Sequence, residues 1–347
     1  MDRATDEKYM RRCLQLARNG FLGAPPNPMV GAVIVYNGRI IGEGYHIHCG
    51  GPHAEVNAVA SVARPELLRE STVYVSLEPC SHYGRTPPCA DMLVSKGVKR
   101  VVVGCIDPFA KVQGRGIAKL RAAGIDVTVG VLEAECRELN RRFITFQSLH
   151  RPYITLKWAQ SADGYIGRPG RERAMISSPL TAINAHRLRA MNQAILVGRA
   201  TAEADNPSLT TRLWPGANPL RIVIDRHAAL APSLRLFDGE APTLVVAEAE
   251  YPEARPATEL FHPADCAAPL LPQLLSELYR RGVQTLLVEG GAITLQSFID
   301  SGLWDEAVVE HGPQPLGGGT AAPLLPAGVA RRPASFFGGN FATARNR

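Results

Sequence analysis

His53-Ala54-Glu55, followed by Pro79-Cys80 and then Pro88-Cys89, assembles one imidazole, two thiols and a carboxylate. One imidazole and two thiolates give a zinc ion three protein ligands and leave its fourth position open for water, as a catalytic rather than a structural zinc requires. Glu55 lies two residues beyond His53, at the start of an expected helix, where it can reach the bound water without ligating the metal. Zinc lowers the pKa of such a water toward ~7, so hydroxide can attack an amino-bearing ring carbon while Glu55 passes protons to the ring nitrogen and to the departing ammonia. Cys13, Cys49, Cys105 and Cys136 have no comparable partners and read as inert thiols.

The elements that must position these groups follow from apolar periodicity. A helical pattern runs through Tyr9, Cys13, Leu16 and Ala17. The run Val30 to Tyr36 reads as a strand, which Asn37-Gly38 turns into a hairpin with residues 39–42. Helices are expected at 54–63, 88–96 and 117–123, and strands at 72–77, 100–105 and 126–129. Cys80 then follows a strand, and Cys89 opens a helix behind Pro88, which brings both thiols to the carboxyl end of a sheet. One helix is expected from about 131 to 147, and a domain boundary falls near 148. The second half carries strands at 153–157, 194–198, 220–225, 243–247, 285–289 and 305–310, with helices at 179–191, 271–281 and 292–301. Both halves are therefore α/β, with apolar strands covered by helices on both faces. The Gly-, Pro- and Ala-rich tail from Gly317 gives weak signals and is expected to be partly irregular.

With 347 residues, 46% hydrophobic and 20% charged, the chain has the composition of two globular domains and lacks that of disorder. No run approaches the ~18 apolar residues of a membrane span. The polar start, Met1 to Glu7, has no apolar stretch behind it, so a cytoplasmic protein without a secretory signal is expected. Seven cysteines in such a context argue for reduced thiols. A net charge of +6, scattered rather than striped, and only 6% aromatic residues fit small anionic substrates and argue against a nucleic-acid partner.

Three segments together closely resemble the deaminase half of the bifunctional riboflavin-biosynthesis deaminase/reductase family. They are Pro26-Asn27-Pro28-Met29-Val30-Gly31-Ala32-Val33, His53-Ala54-Glu55 and residues 78–89, Glu-Pro-Cys-Ser-His-Tyr-Gly-Arg-Thr-Pro-Pro-Cys. Other cytidine deaminase-like proteins usually carry two residues between the cysteines; here there are eight, Ser81 to Pro88. The resemblance implies that this insert helps hold a ribosylaminopyrimidine phosphate through His82 and Arg85, with Asn27 on the pyrimidine edge and His46 at the pocket mouth. Arg85 in a Gly- and Pro-shaped loop is a good phosphate ligand. Phe109 in Asp107-Pro108-Phe109-Ala110 departs from the Asn that the family often has there.

Ser161-Ala162-Asp163-Gly164, the segment 204–212 and Val288-Glu289-Gly290-Gly291-Ala292 resemble the reductase half of the same family, which looks like dihydrofolate reductase and uses NADPH. Glu289-Gly290-Gly291 also has a reading of its own: a strand ends, glycines allow close backbone approach, and a helix N-terminus opens toward a phosphate-bearing ligand. No GxGxxG is present, so the standard dinucleotide fingerprint is absent. The resemblance puts cofactor contacts at Ala159, Met175, Thr201, Asp205, Gly291, Ala292, Ile293, Thr294 and Leu295. It puts substrate contacts at Arg173, Arg189, Leu209, Arg212 and Glu289. Arg173 and Met175 depart from the Ser and Trp often found in the family, and Arg199 is a further candidate for the 2′-phosphate of NADPH.

The expectation is thus a zinc-dependent pyrimidine deaminase domain at 1–147, cytidine deaminase-like, and an NADPH-dependent reductase domain at 148–347, dihydrofolate reductase-like. Together they would deaminate 2,5-diamino-6-(5-phosphoribosylamino)-4(3H)-pyrimidinone and then reduce its ribosyl group to ribityl. A homo-oligomer, dimer or tetramer, is usual for the family. The rivals are a deaminase with a defective reductase half, a nucleic-acid base deaminase, and a silent metal-bound scaffold, which the presence of Glu55 disfavours.

Overall fold

The computed structural model describes residues 2–83, 87–109, 112–168 and 174–346. The chain divides into two compact units, Met1–His150 and Arg151–Arg347.

The first unit comprises α1 (Arg3–Ala17), β1 (Gly31–Tyr36), β2 (Arg39–Tyr45), α2 (Ala54–Ala60), β3 (Thr72–Leu77), α3 (Cys89–Lys96), β4 (Arg100–Cys105), α4 (Arg115–Ala122), β5 (Asp126–Val129), α5 (Glu133–Leu139) and α6 (Arg141–Leu149). Its sheet runs β2-β1-β3-β4-β5, with β1 antiparallel to both neighbours and β3, β4 and β5 parallel. Strand alternation sorts the side chains. Ile34, Val73, Val75, Val101 and Val103 pack with α2, α3 and α4, whereas Val33, Tyr74 and Val102 pack with α1 and α5. The expected single helix after residue 131 is two helices, with Asn140 between them at φ −103°. The Asn140 side chain instead binds the backbone of Met29 through both its oxygen and its nitrogen, at 2.8 and 2.9 Å, tying the helix break to the loop that carries Asn27.

The second unit comprises β6 (Tyr153–Gln160), β7 (Tyr165–Gly167), α7 (Pro179–Ala190), β8 (Ala194–Gly198), α8 (Arg199–Asp205), β9 (Leu220–Ile224), β10 (Thr243–Val246), β11 (Thr258–Phe261), α9 (Leu270–Arg280), β12 (Thr285–Val288), α10 (Ala292–Asp300), β13 (Glu306–His311), β14 (Thr320–Ala321), β15 (Arg331–Phe336) and β16 (Gly339–Arg345). The main sheet runs β11-β10-β9-β8-β12-β6-β13-β16-β15. The strands from β11 to β13 are all parallel, and β16 and β15 are added antiparallel. One face buries Ile154, Leu156, Leu196, Leu286 and Val288 under α9 and α10. The other buries Ile195, Val197, Leu287 and Val308 with Leu188 of α7 and Ala202 of α8. The tail is partly irregular, as expected, up to residue 330 apart from β14, and its last two strands then form a hairpin that extends this sheet. Phe341 and Ala344 anchor it in the core, while the edge strand β15 stays largely exposed and carries Pro333, which cannot donate to a further strand.

Candidate functional site

His53 is the N-cap of α2, with extended backbone at φ −71° and ψ 164°, so its ring leaves the helix end while Glu55 sits in the first turn. Cys80 follows β3, and Cys89 is the first residue of α3, with Pro88 as N-cap. Sγ of Cys80 accepts the backbone N–H of Cys89 at 3.2 Å, a helix N-terminal donor that favours thiolate. Nδ1 of His53 lies 3.5 Å from Sγ of Cys80 and 3.4 Å from Sγ of Cys89, and the three atoms fall within 4.8 Å of one another. Two tetrahedral zinc ligands, one N at ~2.05 Å and one S at ~2.3 Å, stand roughly 3.6 Å apart, so the donor set fits zinc. The Cys80 thiol is pulled down to about 4 by hydrogen bonding with Cys89 and His53 despite burial, while Cys89 is pushed up by its neighbour Cys80 and by burial. Glu55 is 3% exposed, and burial together with the Cys80 charge raises its carboxyl to about 7.

Around this cluster the structure assembles a wall. Nδ1 of His46 faces the carbonyl oxygen of Pro52 at 3.0 Å and therefore donates to it, which leaves Nε2 to accept from Nδ2 of Asn27 at 3.1 Å. Burial lowers the His46 pKa, consistent with that neutral tautomer. The amide of Asn27 is thereby oriented, with Oδ1 and one N–H left for another partner. His82 is exposed and stacks edge-on against Phe109 at 5.9 Å, so the residue that departs from the family supplies an aromatic surface. Arg85 lies outside the described residues.

Glu78 had no role in the sequence reading. Its buried carboxylate accepts four backbone N–H groups, from Asp107, Gly114, Gly116 and Ile117, at 2.9–3.3 Å. It therefore ties Asp107 and residues 114–117 to the end of β3 beside Cys80, and Asp107, raised to about 6 mainly by burial, caps the N–H of Phe109 at 2.8 Å. A carboxylate directly before Pro79-Cys80 at a strand end was the available signal.

In the second unit, Gly198 ends β8, and Gly290 and Gly291 follow β12. A Cβ on Gly198 would strike Oγ1 of Thr294, one on Gly290 would meet Cγ2 of Thr201 at 2.8 Å, and Gly291 has φ +74°. Thr201 and Thr294 thus back a glycine cradle at the carboxyl edge of the sheet, and α10 opens there without a side-chain cap. Bare N–H groups at such an edge suit a phosphate-bearing cofactor, so this cradle fits a dinucleotide. Ala159 ends near β6's carboxyl end, Ala292 and the 87% exposed Ile293 lie in the first turn of α10, Asp205 is the exposed last residue of α8, and Met175 is exposed. Leu295 needs correction as a cofactor contact: its side chain is fully buried in the core and its N–H is bonded to Gly291 O at 3.0 Å. Arg199 donates to Glu203 at 2.9 Å and stands 4.0 Å from the buried Asp225.

Arg189, expected as a phosphate ligand, is bound through Nε and Nη2 to Glu289 at 3.2 and 2.6 Å and through Nη1 to Thr210 O at 3.2 Å. Glu289, raised by burial, is brought net below its usual range by Arg189 and Lys157. Lys157, on β6 and 4.0 Å from Glu310, is a half-buried cation that carries no motif in the sequence. Leu209 is buried with φ +54°, so its side chain anchors the core and its backbone alone is open to a ligand. Arg212 is exposed and donates to Oγ1 of Thr210 at 2.6 Å. Arg173 lies outside the described residues.

His186 completes this group. Nδ1 accepts the backbone N–H of Arg212 at 2.9 Å, and burial with the charges of Arg189 and Arg212, against the opposing Glu289, pulls its pKa down to about 4. An unfolded histidine titrates near ~6.5, so between these values the unfolded chain binds a proton that the folded chain refuses. The stability from burying neutral His186 is complete above pH ~6.5 and is lost as pH falls toward 4. Trp158, Trp214 and Trp304 all lie in the second unit. The urea midpoint by tryptophan fluorescence should therefore fall across that window, with a shallower fall in His186→Asn; equal slopes in the two proteins would refute it.

Comparison with known proteins adds to this geometry. Residues 3–105 match the cytidine and deoxycytidylate deaminase zinc-binding region, and residues 152–332 match the RibD C-terminal domain. The riboflavin biosynthesis protein RibD of Aquifex aeolicus is 42% identical over 92% of this chain and 90% of its own, and that of Escherichia coli is 39% identical over 90% and 89%. A crystal structure of a diaminohydroxyphosphoribosylaminopyrimidine deaminase/5-amino-6-(5-phosphoribosylamino)uracil reductase from Thermotoga maritima superposes with TM-score 0.87 at 35% identity, covering 99% of each chain. Acinetobacter baumannii RibD gives 0.86 at 30% identity over the whole of both chains.

Fold and site together define a two-domain α/β enzyme in which a deaminase of the cytidine deaminase type is joined to a reductase. The chain belongs to the RibD family, the bifunctional deaminase/reductases of riboflavin biosynthesis. Among the described residues no helix is long and apolar enough to cross a membrane.

Proposed function

We propose that the first unit hydrolyses the 2-amino group of 2,5-diamino-6-(5-phosphoribosylamino)-4(3H)-pyrimidinone, and that the second reduces the resulting 5-amino-6-(5-phosphoribosylamino)uracil with NADPH at C1′, opening the ribosyl group to ribityl. The observation that carries the reading is the convergence of His53, Cys80 and Cys89 at 3.4–3.5 Å with the buried Glu55 beside them. Zinc, when bound by those three residues, supplies the Lewis acid that brings the pKa of water near neutrality. Glu55 takes and returns the protons of the hydrolysis, at the ring nitrogen and then at the leaving amine. Asn27, its amide turned by His46, reads the pyrimidine edge with its free Oδ1 and N–H. His82, and Arg85 with it, holds the ribose phosphate end.

In the second unit, Gly291 to Thr294 and Thr201 would hold the cofactor, which supplies the hydride when bound. Arg212 is the residue whose charge is available to the substrate phosphate, because Arg189 is neutralised by Glu289. Glu289 and Lys157 orient the pyrimidine side of the substrate, and catalysis rests on holding C1′ against the nicotinamide.

The test is a coupled assay on zinc-replete protein, in which ammonia release is followed before NADPH is added and its absorbance read. Both signals are expected in sequence. Protein stripped by a chelator should release no ammonia yet still consume NADPH when given the deaminated substrate, and zinc should restore the first step. Ammonia release that survives complete removal of zinc would refute the reading of the first unit; absence of NADPH consumption on the deaminated substrate would refute that of the second.

A further inference from the structure

We propose that His186 is a positioning residue of the reductase, holding the strap 209–212 so that Arg212 faces the substrate phosphate; this rests on the reading of that strap given above. His186 and Arg189 stand three residues apart on α7, and so on one face of the helix. From that face they grip the strap at two points. Arg189 donates to the carbonyl of Thr210 at 3.2 Å, and His186 accepts the backbone N–H of Arg212 at 2.9 Å. A backbone N–H can only donate, so Nδ1 is the acceptor and the ring proton resides on Nε2.

The rest of the strap is fixed independently. Leu209, at φ +54°, has its side chain in the core; Thr210 is fully buried; and the N–H of Thr211 donates to Oδ1 of Asn218 at 2.8 Å. The segment is therefore held at every residue, and at Arg212 the backbone anchor is His186 alone among the described residues. The two arginines differ in charge state. Arg189 is bidentate on Glu289, whereas among the described residues no carboxylate pairs with Arg212, whose guanidinium donates to Oγ1 of Thr210 at 2.6 Å. That bond aligns the side chain and leaves its charge uncompensated, as a phosphate dianion requires. Burial and the two flanking arginines keep His186 unprotonated above about pH 4, so the acceptor persists throughout the neutral range.

Reductase kinetics with the phosphorylated substrate and with its dephosphorylated form, at saturating NADPH, test the proposal. His186→Leu removes the acceptor without changing α7. It is expected to raise KM for the phosphorylated substrate about tenfold, with kcat within about twofold, and to leave kcat/KM for the dephosphorylated form unchanged. His186→Asn, whose Oδ1 reaches the position of Nδ1, should restore most of the loss. Should the Leu variant not fold, His186→Gln takes its place, since its acceptor lies one bond farther out and should fail to rescue. Equal losses on both substrates, or an Asn variant as impaired as the Leu or Gln variant, would overturn the role of His186. Arg212→Met separates this from the underlying reading: if it too leaves the preference for the phosphorylated substrate intact, the strap is not the phosphate site, and the inference goes with it.

Discussion

Replacing Glu55 with Gln is expected to cut ammonia release by about 10³-fold while equimolar zinc remains bound and the reductase step keeps its wild-type rate. Gln has the shape and reach of Glu, so the packing at the start of α2 survives, and His53, Cys80 and Cys89 keep their donor atoms together. What is lost is the ability to take a proton and give it back. A deamination needs that twice, once at the ring nitrogen and once at the departing amine, and Glu55 is the buried carboxylate of the first turn of α2, against Cys89. Nearby Asp107 and Glu78 are committed elsewhere, Asp107 to the N–H of Phe109 and Glu78 to four backbone N–H groups, so neither substitutes for it. Zinc content by atomic absorption and NADPH consumption on the deaminated substrate are the controls. A variant that still releases ammonia within tenfold of wild type would move the proton shuttle to another residue.

The zinc cluster was legible because its determinants are local. His53 and Glu55 share one helix start, and each cysteine abuts a strand end or a helix start marked by proline. Likewise, Thr72–Leu77, Arg100–Cys105, Asp126–Val129 and Ala194–Gly198 stand where apolar runs bounded by turn residues put them. The elements that were missed draw their stability from partners distant in sequence. Strand β6 continues to Gln160, beyond its apolar run, because Trp158 to Gln160 pair with Val309 to His311. The hairpin of β15 and β16 has no clear apolar alternation; pairing of β16 with β13 creates it. The seven-residue α8 is too short to show a helical period.

The same distinction governs the site. In sequence Arg189 looks like an unpaired cation, because nothing near it reveals Glu289, 100 residues away. His186 drew no notice because its partner is a backbone N–H, which carries no side-chain signature. The Asn27–His46 contact spans 19 residues, so the two could be assigned to one pocket by resemblance but not seen to orient each other. Residues that touch substrate leave motifs; residues that hold those residues leave few.

The pair Arg189–Glu289 yields the second large effect. Glu289→Gln is expected to lower reductase kcat/KM by about 10²-fold and to leave ammonia release unchanged. The side chains are 13% and 9% exposed, and their contact is bidentate, so each charge is neutralised largely by the other. Removing one partner of such a buried pair costs about 3–5 kcal/mol, because the remaining charge is stranded. A loss of activity in Glu289→Gln alone could thus come from instability. The distinguishing variant is the double replacement Arg189→Met with Glu289→Leu, which removes both charges and fills similar volume. Such replacements are often neutral or stabilising, so the urea midpoint should return to near the wild-type value. Reductase activity should not return, because the carboxylate beside Lys157, proposed above to orient the substrate, and the Arg189 grip on Thr210 are both gone. The pH sign is fixed as well. Glu289 titrates below its unfolded range, so the pair's contribution is full above pH ~4.3 and is withdrawn only as pH falls below it. A double variant that regains both stability and reductase activity would make Glu289 a structural counter-ion only, and would return the substrate contact to Lys157 and Arg212.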